Sequence, residues 1–496
     1  MERVPAADQH AAVAETHISV VVFIGDRAYK LKKPVRFDFL DFSTREARET
    51  ACHREVVLNR RLAPDVYLGV ADVHGPDGAP WDHLVVMRRM PPARRLSTMV
   101  VSRDPTVPGH LRALARRISA FHAAAERGPH IDAAATRDAV AAAWQDNARE
   151  MTPFVGPVLD PEVAERVSSR AGAYLAGRAP LFAARIAGGH VCDGHGDLQA
   201  GDVFCLDDGP RVLDCIEFND RFRHGDVLND VAFLAMDLER LGAPHLAVRF
   251  LDDYREFSGE SAPASLVHHY IAYRAQVRAK VACLRWAQEP PGSAAAAEAL
   301  AEARGLLGLC DEHLGRARVR LVAVGGLPGT GKTTLARGIG DRLGWPVLRS
   351  DEIRKELAGL PPSEPARAPY GRGLYTGEAT EATYAELVHR AVALAGLGTS
   401  AVLDASWIRA EHRRRLRRAA AGVHAELVEL RCVAPPGVAA ERIGARLRRR
   451  SDASDATAEV AAAMAAEADP WPEAVTVDTS GSKPASLRAA LAALAP

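Results

Sequence analysis

The chain reads Gly326-Leu-Pro-Gly329-Thr330-Gly331-Lys332-Thr333, with Thr334 next. The run from Arg320 to Gly325 before it has the apolar pattern of a buried strand, and helical periodicity begins at Leu335. A glycine-rich turn between strand and helix points backbone N–H groups inward, where they and the positive helix end cradle phosphate oxygens. In that setting Lys332 reaches the terminal phosphates of a nucleotide and the Thr333 hydroxyl ligates magnesium, so ATP with Mg²⁺ is the expected ligand.

Residues downstream specify the kind of phosphate chemistry. Pro346 to Ser350 reads as a second strand ending at Asp351, with Arg354 three residues on. This resembles the Asp-x-x-Arg element of small P-loop kinases, which implies that Asp351 lies near the acceptor and Arg354 binds it. Ser400 to Leu403 is a further strand ending at Asp404, in the position where a carboxylate orients magnesium through water. Asp404-Ala-Ser-Trp-Ile, with Arg413 nine residues on, resembles gluconate-kinase-like, polynucleotide-kinase-like and zeta-toxin-like domains. The resemblance gives Arg413 a catalytic place. Arg442, Arg446 and Arg448 to Arg450 follow at helical spacing, similar to the arginine lid of adenylate-kinase-like folds that neutralises the transferring group. The stretch from Val319 to the end is too short for a motor core plus its lid subdomain.

A second set of acids lies far upstream. Cys192-Asp-Gly-His195-Gly196-Asp197-Leu-Gln199-Ala-Gly-Asp202 resembles the H-G-D-x-x-x-x-N loop of aminoglycoside phosphotransferases and their protein-kinase-like relatives. The resemblance implies that Asp197 accepts the substrate hydroxyl proton and that Asp202, in place of asparagine, ligates magnesium. Asp214, seventeen residues after Asp197, takes the second metal position, with Glu217 as partner or alternative. Gly225-Asp226-x-x-x-Asp230 resembles the structural segment that closes this block. Ala28-Tyr-Lys30-Leu-Lys32 resembles the strand lysine that pairs ATP phosphates. Period two puts Lys30 and Lys32 on one strand face, so spacing does not separate them; Lys30 is preferred. Glu55 suits the helix glutamate that orients that lysine. No glycine-rich loop precedes Lys30. Arg274 and Arg278 share a helix face and either bind an anionic ligand or brace the lobe.

The elements around these residues divide the chain. Ile18 to Ile24 and Ala28 to Val35 form a hairpin about Gly25-Asp26, Arg45 to Leu62 is helical, and Leu84 to Met87 is a strand ended by Pro91-Pro92. Pro108 to about Ala187 has a 3.6-residue repeat, then comes strand–loop–strand to Phe218 and more helix to Trp286. The breaker Glu289-Pro-Pro-Gly-Ser293 leads to an Ala-rich helix, after which strand and helix alternate. The expected fold class is an α+β protein-kinase-like domain over 1–287, a helical linker over 288–317, and an α/β P-loop domain with a parallel sheet over 318–496.

Bulk composition bounds the function. Of 496 residues, 63 are Lys or Arg and 63 Asp or Glu, so the net charge is zero and no global basic field points to nucleic acid. Seven cysteines without a CxxC pair argue for reduced thiols, and no signal sequence or apolar span is evident, so the cytoplasm is the expected compartment. The leading reading is a phosphotransferase acting on a small-molecule hydroxyl. The alternatives are a nucleotide-binding regulatory protein with weak ATPase activity, favoured by Asp202 and the missing glycine-rich loop, and a nucleic-acid 5′-hydroxyl kinase.

Overall fold

A computed structural model describes residues 12–15, 18–37, 40–361, 364, 372–449 and 457–494, with the side chains of Phe37 and of 446–449 outside the description. The chain forms two compact units. The first comprises Met1–Ser168, Phe182–Ala262 and Val267–His313, and the second Ser169–Leu181, Pro263–Leu266 and Leu314–Pro496.

The first unit begins with a five-stranded antiparallel sheet in the order Ala12–Glu15, Ser19–Ile24, Arg27–Lys32, Pro80–Arg88, Tyr67–His74. Side chains alternate in Arg27–Lys32, so Ala28, Lys30 and Lys32 all point to the buried face. The helix Arg45–Asn59 covers that face. Thr44 caps it by accepting from the Ala47 amide at 3.2 Å, and Cys52 and Val56 join Ala28, Val85 and Met87 in one core. The strand Tyr67–His74 was not expected from the sequence, because it is half-exposed and its burial pattern does not alternate cleanly.

The expected helical stretch from Pro108 is broken at Gly128, Thr136 and Asp160, giving Val107–Ala124, Arg137–Met151 and Pro161–Ala176 among its helices. The strand–loop–strand block resolves into two short antiparallel pairs, Val191–Asp193 with His224–Asp226 and Val203–Leu206 with Gly209–Val212. Beneath them runs Val227–Arg240, buried along nearly its whole length. The region expected as a linker holds the helix Ala294–Arg316. Arg304 Nε donates to Val158 O at 2.8 Å and Asp311 pairs with Arg166 at 3.0 Å, so through His313 this helix is packed into the first unit.

The second unit is a parallel five-stranded sheet in the order Val347–Arg349, Ala401–Asp404, Arg320–Gly325, Glu426–Val433, Val475–Asp478. Leu321–Gly325 and Ala401–Asp404 at its centre are fully buried, as expected of a parallel sheet covered on both faces. Val322, Val324, Val402 and Leu430 pack against Leu335, Ala336 and Ile339 of the helix Lys332–Leu343 and Ala490 of Lys483–Ala492. The helix Gly377–Gly396 buries Tyr384, Leu387 and Ala391, and Ala410–Gly422 buries Leu416 and Ala420. All seven cysteines are free and buried.

Ile339 is fully buried at the centre of this core, whereas Val475 on the edge strand is 48% exposed. Ile339→Ala is expected to cost about 2–5 kcal/mol in chemical denaturation of the second unit. Val475→Ala is expected to stay within about 0.5 kcal/mol.

Candidate functional sites

In the first unit two lysines share one glutamate. Glu55 is fully buried, with Lys30 Nζ 2.9 Å from one carboxylate oxygen and Lys32 Nζ 2.7 Å from the other. Lys30 also pairs with Asp214, and Lys32 with Glu217. Strand alternation places both lysines here, but their surroundings differ. Lys30 lines an open cleft of about 590 Å³, together with Asp197, Asp202 and Asp214. Lys32 is 1% exposed and wholly occupied by Glu55 and Glu217. The two ammonium groups hold the Glu55 carboxyl well below its usual range against the opposing effect of burial.

The loop bearing Asp197 is held by the helix beneath it. The Asp230 carboxylate accepts from the His195 amide at 2.5 Å and the Gly196 amide at 2.8 Å, and His122 Nε2 sits 3.2 Å away. Gly196 has φ +86°, and a Cβ there would come within 2.8 Å of Phe222 O. The His195 ring meets Leu213 O at 3.1 Å, linking this loop to the segment that carries Asp214, and burial lowers the imidazole to about 4. Asp214 itself adopts φ +66°, an uncommon conformation for a non-glycine residue. Its amide donates to the Tyr67 hydroxyl at 3.1 Å. The next residue is fixed as well, with the Cys215 amide donating to Asn59 Oδ1 at 2.9 Å.

Asp197 accepts from Gln199 Nε2 at 2.8 Å, and burial pushes its carboxyl up to about 6 despite Arg278 and Arg274 nearby. Burial and the charges of Asp214 and Asp197 push Asp202 up as well. Asp197, Asp202 and Asp214 line one cleft with Lys30, and carboxylates gathered in this way suit a divalent cation bound to nucleotide phosphates. Asp214 and Asp202 are placed to hold it. Glu217, kept by Lys32, is less available. Among the described residues no group of three or more His, Cys, Asp or Glu is arranged to hold a metal ion on its own.

In the second unit the glycine loop enters the helix Lys332–Leu343 directly. Gly329 has φ +82°, and a Cβ there would lie 2.5 Å from Ala439 O. Gly331, Lys332, Thr333, Arg337, Arg442 and Lys483 line a cleft of about 760 Å³. Thr330 is held from the far side, its carbonyl accepting from the Thr479 hydroxyl. Arg442 Nη2 donates to Thr479 O at 2.7 Å, close above Gly331. Asp404 is 4% exposed, with Arg349 Nε 3.3 Å from one oxygen and no hydrogen bond to the other. Burial pushes its carboxyl up while Lys332 and Thr333 draw it down. That orphaned buried oxygen beside Thr333 suits a hydrated cation.

The sequence expectations fare unevenly here. The strand expected to end at Asp351 stops at Arg349, so Asp351 lies in the first turn of the helix Ser350–Leu357. Arg354 donates to Leu374 O at 3.1 Å and Thr380 Oγ1 at 3.2 Å and lies over the Tyr375 ring, which ties it to the segment before Gly377–Gly396. Arg413 is 2% exposed and spends its guanidinium on the carbonyls of Trp407, Ile408 and Pro470. That contacts main chain rather than a reacting group, so the structure makes it a brace and not the catalytic arginine expected. Arg446 belongs to the helix Pro436–Arg449, but its side chain lies outside the described residues.

Sequence reasoning missed the bracing shell. Arg61 donates to Asp193 Oδ2 at 2.9 Å and Gly194 O at 2.9 Å, and Arg223 Nε to Asp193 Oδ1 at 2.8 Å. Tyr384 meets the Ser406 hydroxyl at 2.9 Å and accepts from the Trp407 amide at 3.1 Å, holding the loop after Asp404. Only the unexplained Arg60-Arg61 pair and the Ser-Trp after Asp404 signalled these contacts.

Comparison with known proteins places this architecture. Over 477 residues the chain is 44% identical to the uncharacterized protein Rv2004c of Mycobacterium tuberculosis strain H37Rv, covering 96% of this chain and 93% of that protein. The chain belongs to that family. The uncharacterized protein Mb2027c of Mycobacterium bovis matches with the same identity and coverage. Residues 321–471 match the AAA domain family model. Among solved structures, a gluconokinase from Sinorhizobium meliloti 1021 is 22% identical, covering 36% of this chain and 91% of its own, with a TM-score of 0.27. A choline/ethanolamine kinase family protein from Mesorhizobium loti is 15% identical, covering 62% and 94%, with a TM-score of 0.38. The AAA domain match falls within the second unit, on its parallel sheet and glycine loop.

The Asp230 carboxylate carries two amides and an imidazole, all buried. Asp230→Ala leaves them without an acceptor and is expected to cost about 3–5 kcal/mol, read as a drop in the denaturation midpoint of the first unit. An unchanged midpoint would show that the loop is held elsewhere.

Proposed function

We propose that this chain is an ATP- and magnesium-dependent phosphotransferase with two nucleotide sites, and that the first unit phosphorylates the hydroxyl of a small molecule. The observation that carries the reading is Lys30 bridging Glu55 and Asp214 in the cleft that also holds Asp197. A buried glutamate aims the lysine, the lysine faces where nucleotide phosphates would lie, and a separate carboxylate remains for the acceptor.

Asp214 and Asp202 in the first unit, and Thr333 with Asp404 behind it in the second, would hold magnesium, which when bound supplies positive charge against the transferring group. The residues of this chain do the rest. Lys30 fixes the phosphates, and Asp197 orients the acceptor hydroxyl. The oxygen–phosphorus bond to the acceptor forms as the bond to ADP breaks, and the hydroxyl proton passes to Asp197 and then to water. The products are the phosphate monoester, ADP and a proton. In the second unit the backbone of 326–331, Lys332 and Thr334 would hold ATP, Arg442 would approach the phosphates from above Gly331, and Asp351 would face its acceptor.

The seven unpaired thiols support a cytoplasmic setting. No described helix is long and apolar enough to cross a membrane.

Lys332→Ala is expected to remove one of two nucleotide-binding events in isothermal titration of the full chain, with its circular dichroism unchanged. A titration that still counts both would sink the assignment of the second site. In that Lys332→Ala background, Asp197→Asn is expected to lower acceptor phosphorylation by roughly 10²–10⁴-fold with nucleotide affinity unchanged. Asp214→Asn is expected to lower both. Unaltered ATP consumption by the Asp197→Asn protein with a responding acceptor would overturn the base assignment.

A further inference from the structure

The wall of the first cleft facing Asp197 is the helix Ala264–Gln288, which contributes Tyr273, Arg274, Val277, Arg278, Lys280 and Val281. Its cations differ in what they already hold. Lys280 pairs with Glu150 at 3.1 Å and Arg285 with Glu302 at 3.3 Å. Arg274 is 6% exposed, donates from Nε to Asn229 O at 3.0 Å and lies 4.6 Å over the Phe233 ring. It braces the lobe with that edge of the guanidinium, and among the described residues its two terminal nitrogens make no hydrogen bond. One turn on, Arg278 is half-buried in the cleft and has no hydrogen bond, ion pair or ring contact among the described residues.

A half-buried arginine without a partner forfeits hydration for no compensating contact. Arg278 and Arg274 both favour the ionised form of Asp197, the group placed against the acceptor hydroxyl. It cannot serve as their salt-bridge partner and also remain free to take a proton. Ile216, Phe218, Phe222, Phe233, Val277 and Val281 add an apolar surface to the wall, among polar groups that include Asn147 and Gln199. An acceptor in this cleft therefore meets a carboxylate at its hydroxyl, an apolar surface along its body and a fork of unpaired guanidinium donors beside them.

We infer that the acceptor of the first unit is an anionic hydroxyl compound, its carboxylate or phosphate group bound by Arg278 with Arg274 behind it. Guanidinium donors suit both oxyanions bidentately, and neither a neutral polyol nor a polyamine satisfies them. The inference rests on the phosphotransferase reading of this cleft and gives it a substrate class.

The test uses the full-length Lys332→Ala protein with its remaining nucleotide site, in the first unit, saturated by ADP and magnesium. Saturation-transfer NMR then compares matched probes: glycerol, glycerol 3-phosphate, glycerate and 3-amino-1,2-propanediol. The two anionic probes are expected to bind and the neutral and cationic ones not. Arg278→Ala is expected to weaken the anionic probes at least 10-fold, and Arg278→Lys to recover part of that loss. The preferred anion distinguishes a phosphate from a carboxylate acceptor. Equal or stronger binding of the neutral or cationic probe overturns the inference, as does an anionic preference that survives Arg278→Ala, or no binding of either anion. Each of these leaves the phosphotransferase reading intact so long as ADP binding depends on Asp214, measured separately by titration. Loss of that dependence sinks the reading itself.

Discussion

Glu55 sits out of water between two ammonium groups, and the geometry of the first site follows from that arrangement. A buried carboxylate is tolerated only with counter-charge, and two lysines on one strand face supply it from a single direction. Because Lys32 is saturated by Glu55 and Glu217, the helix Arg45–Asn59 is pinned to the strand Arg27–Lys32 whatever Lys30 does. Lys30 is then anchored by Glu55 on one side and meets Asp214 on the side of the cleft. A lysine with no glutamate behind it would sweep a wide arc on its flexible stem and aim at nothing in particular.

The same logic recurs at the loop bearing Asp197. Asp230 lies on a helix whose remaining face is core, and it takes the His195 and Gly196 amides that a loop would otherwise present to water. His195 stays neutral and joins this loop to the Asp214 segment through Leu213 O. Asp197 and Asp214 are therefore positioned by one connected set of buried hydrogen bonds rather than by their own chain neighbours. Arg61, from the end of the helix Arg45–Asn59, and Arg223 complete the set by holding Asp193 and Gly194. Strain at Asp214 is carried by fixed neighbours on each side, Tyr67 and Asn59.

The second unit solves a related problem with less side-chain apparatus. For the nucleotide proposed there, backbone amides at a helix start would supply most of the donors, so the demand falls on glycine geometry and on close packing of loops against Gly326 and Gly329. The side chains that matter there secure the loops. Thr479 holds Thr330, Tyr384 holds the turn after Asp404, and Arg413 ties that turn to Pro470. An arginine drawn into carbonyl contacts in this way looks, in sequence, the same as one aimed at a phosphoryl group.

What the sequence by itself determined is what local pattern and spacing control. The strand–glycine loop–helix around Lys332, the parallel sheet after it and the hairpin bearing Lys30 were legible, because short-range backbone requirements dictate those residue types, whereas the Asp197 and Asp214 block was marked out by resemblance. Tertiary structure decided between residues that local pattern leaves equal. Lys30 and Lys32 differ only in which acids approach them from Asp214 and Glu217, far along the chain. Arg278 differs from Arg274, Lys280 and Arg285 only in lacking a partner delivered by another element, and Arg413 differs from an active-site arginine only in the carbonyls that fold over it. A side chain's type and phase are written within a few residues, whereas its burial and counter-charge depend on segments that meet only once the chain has folded.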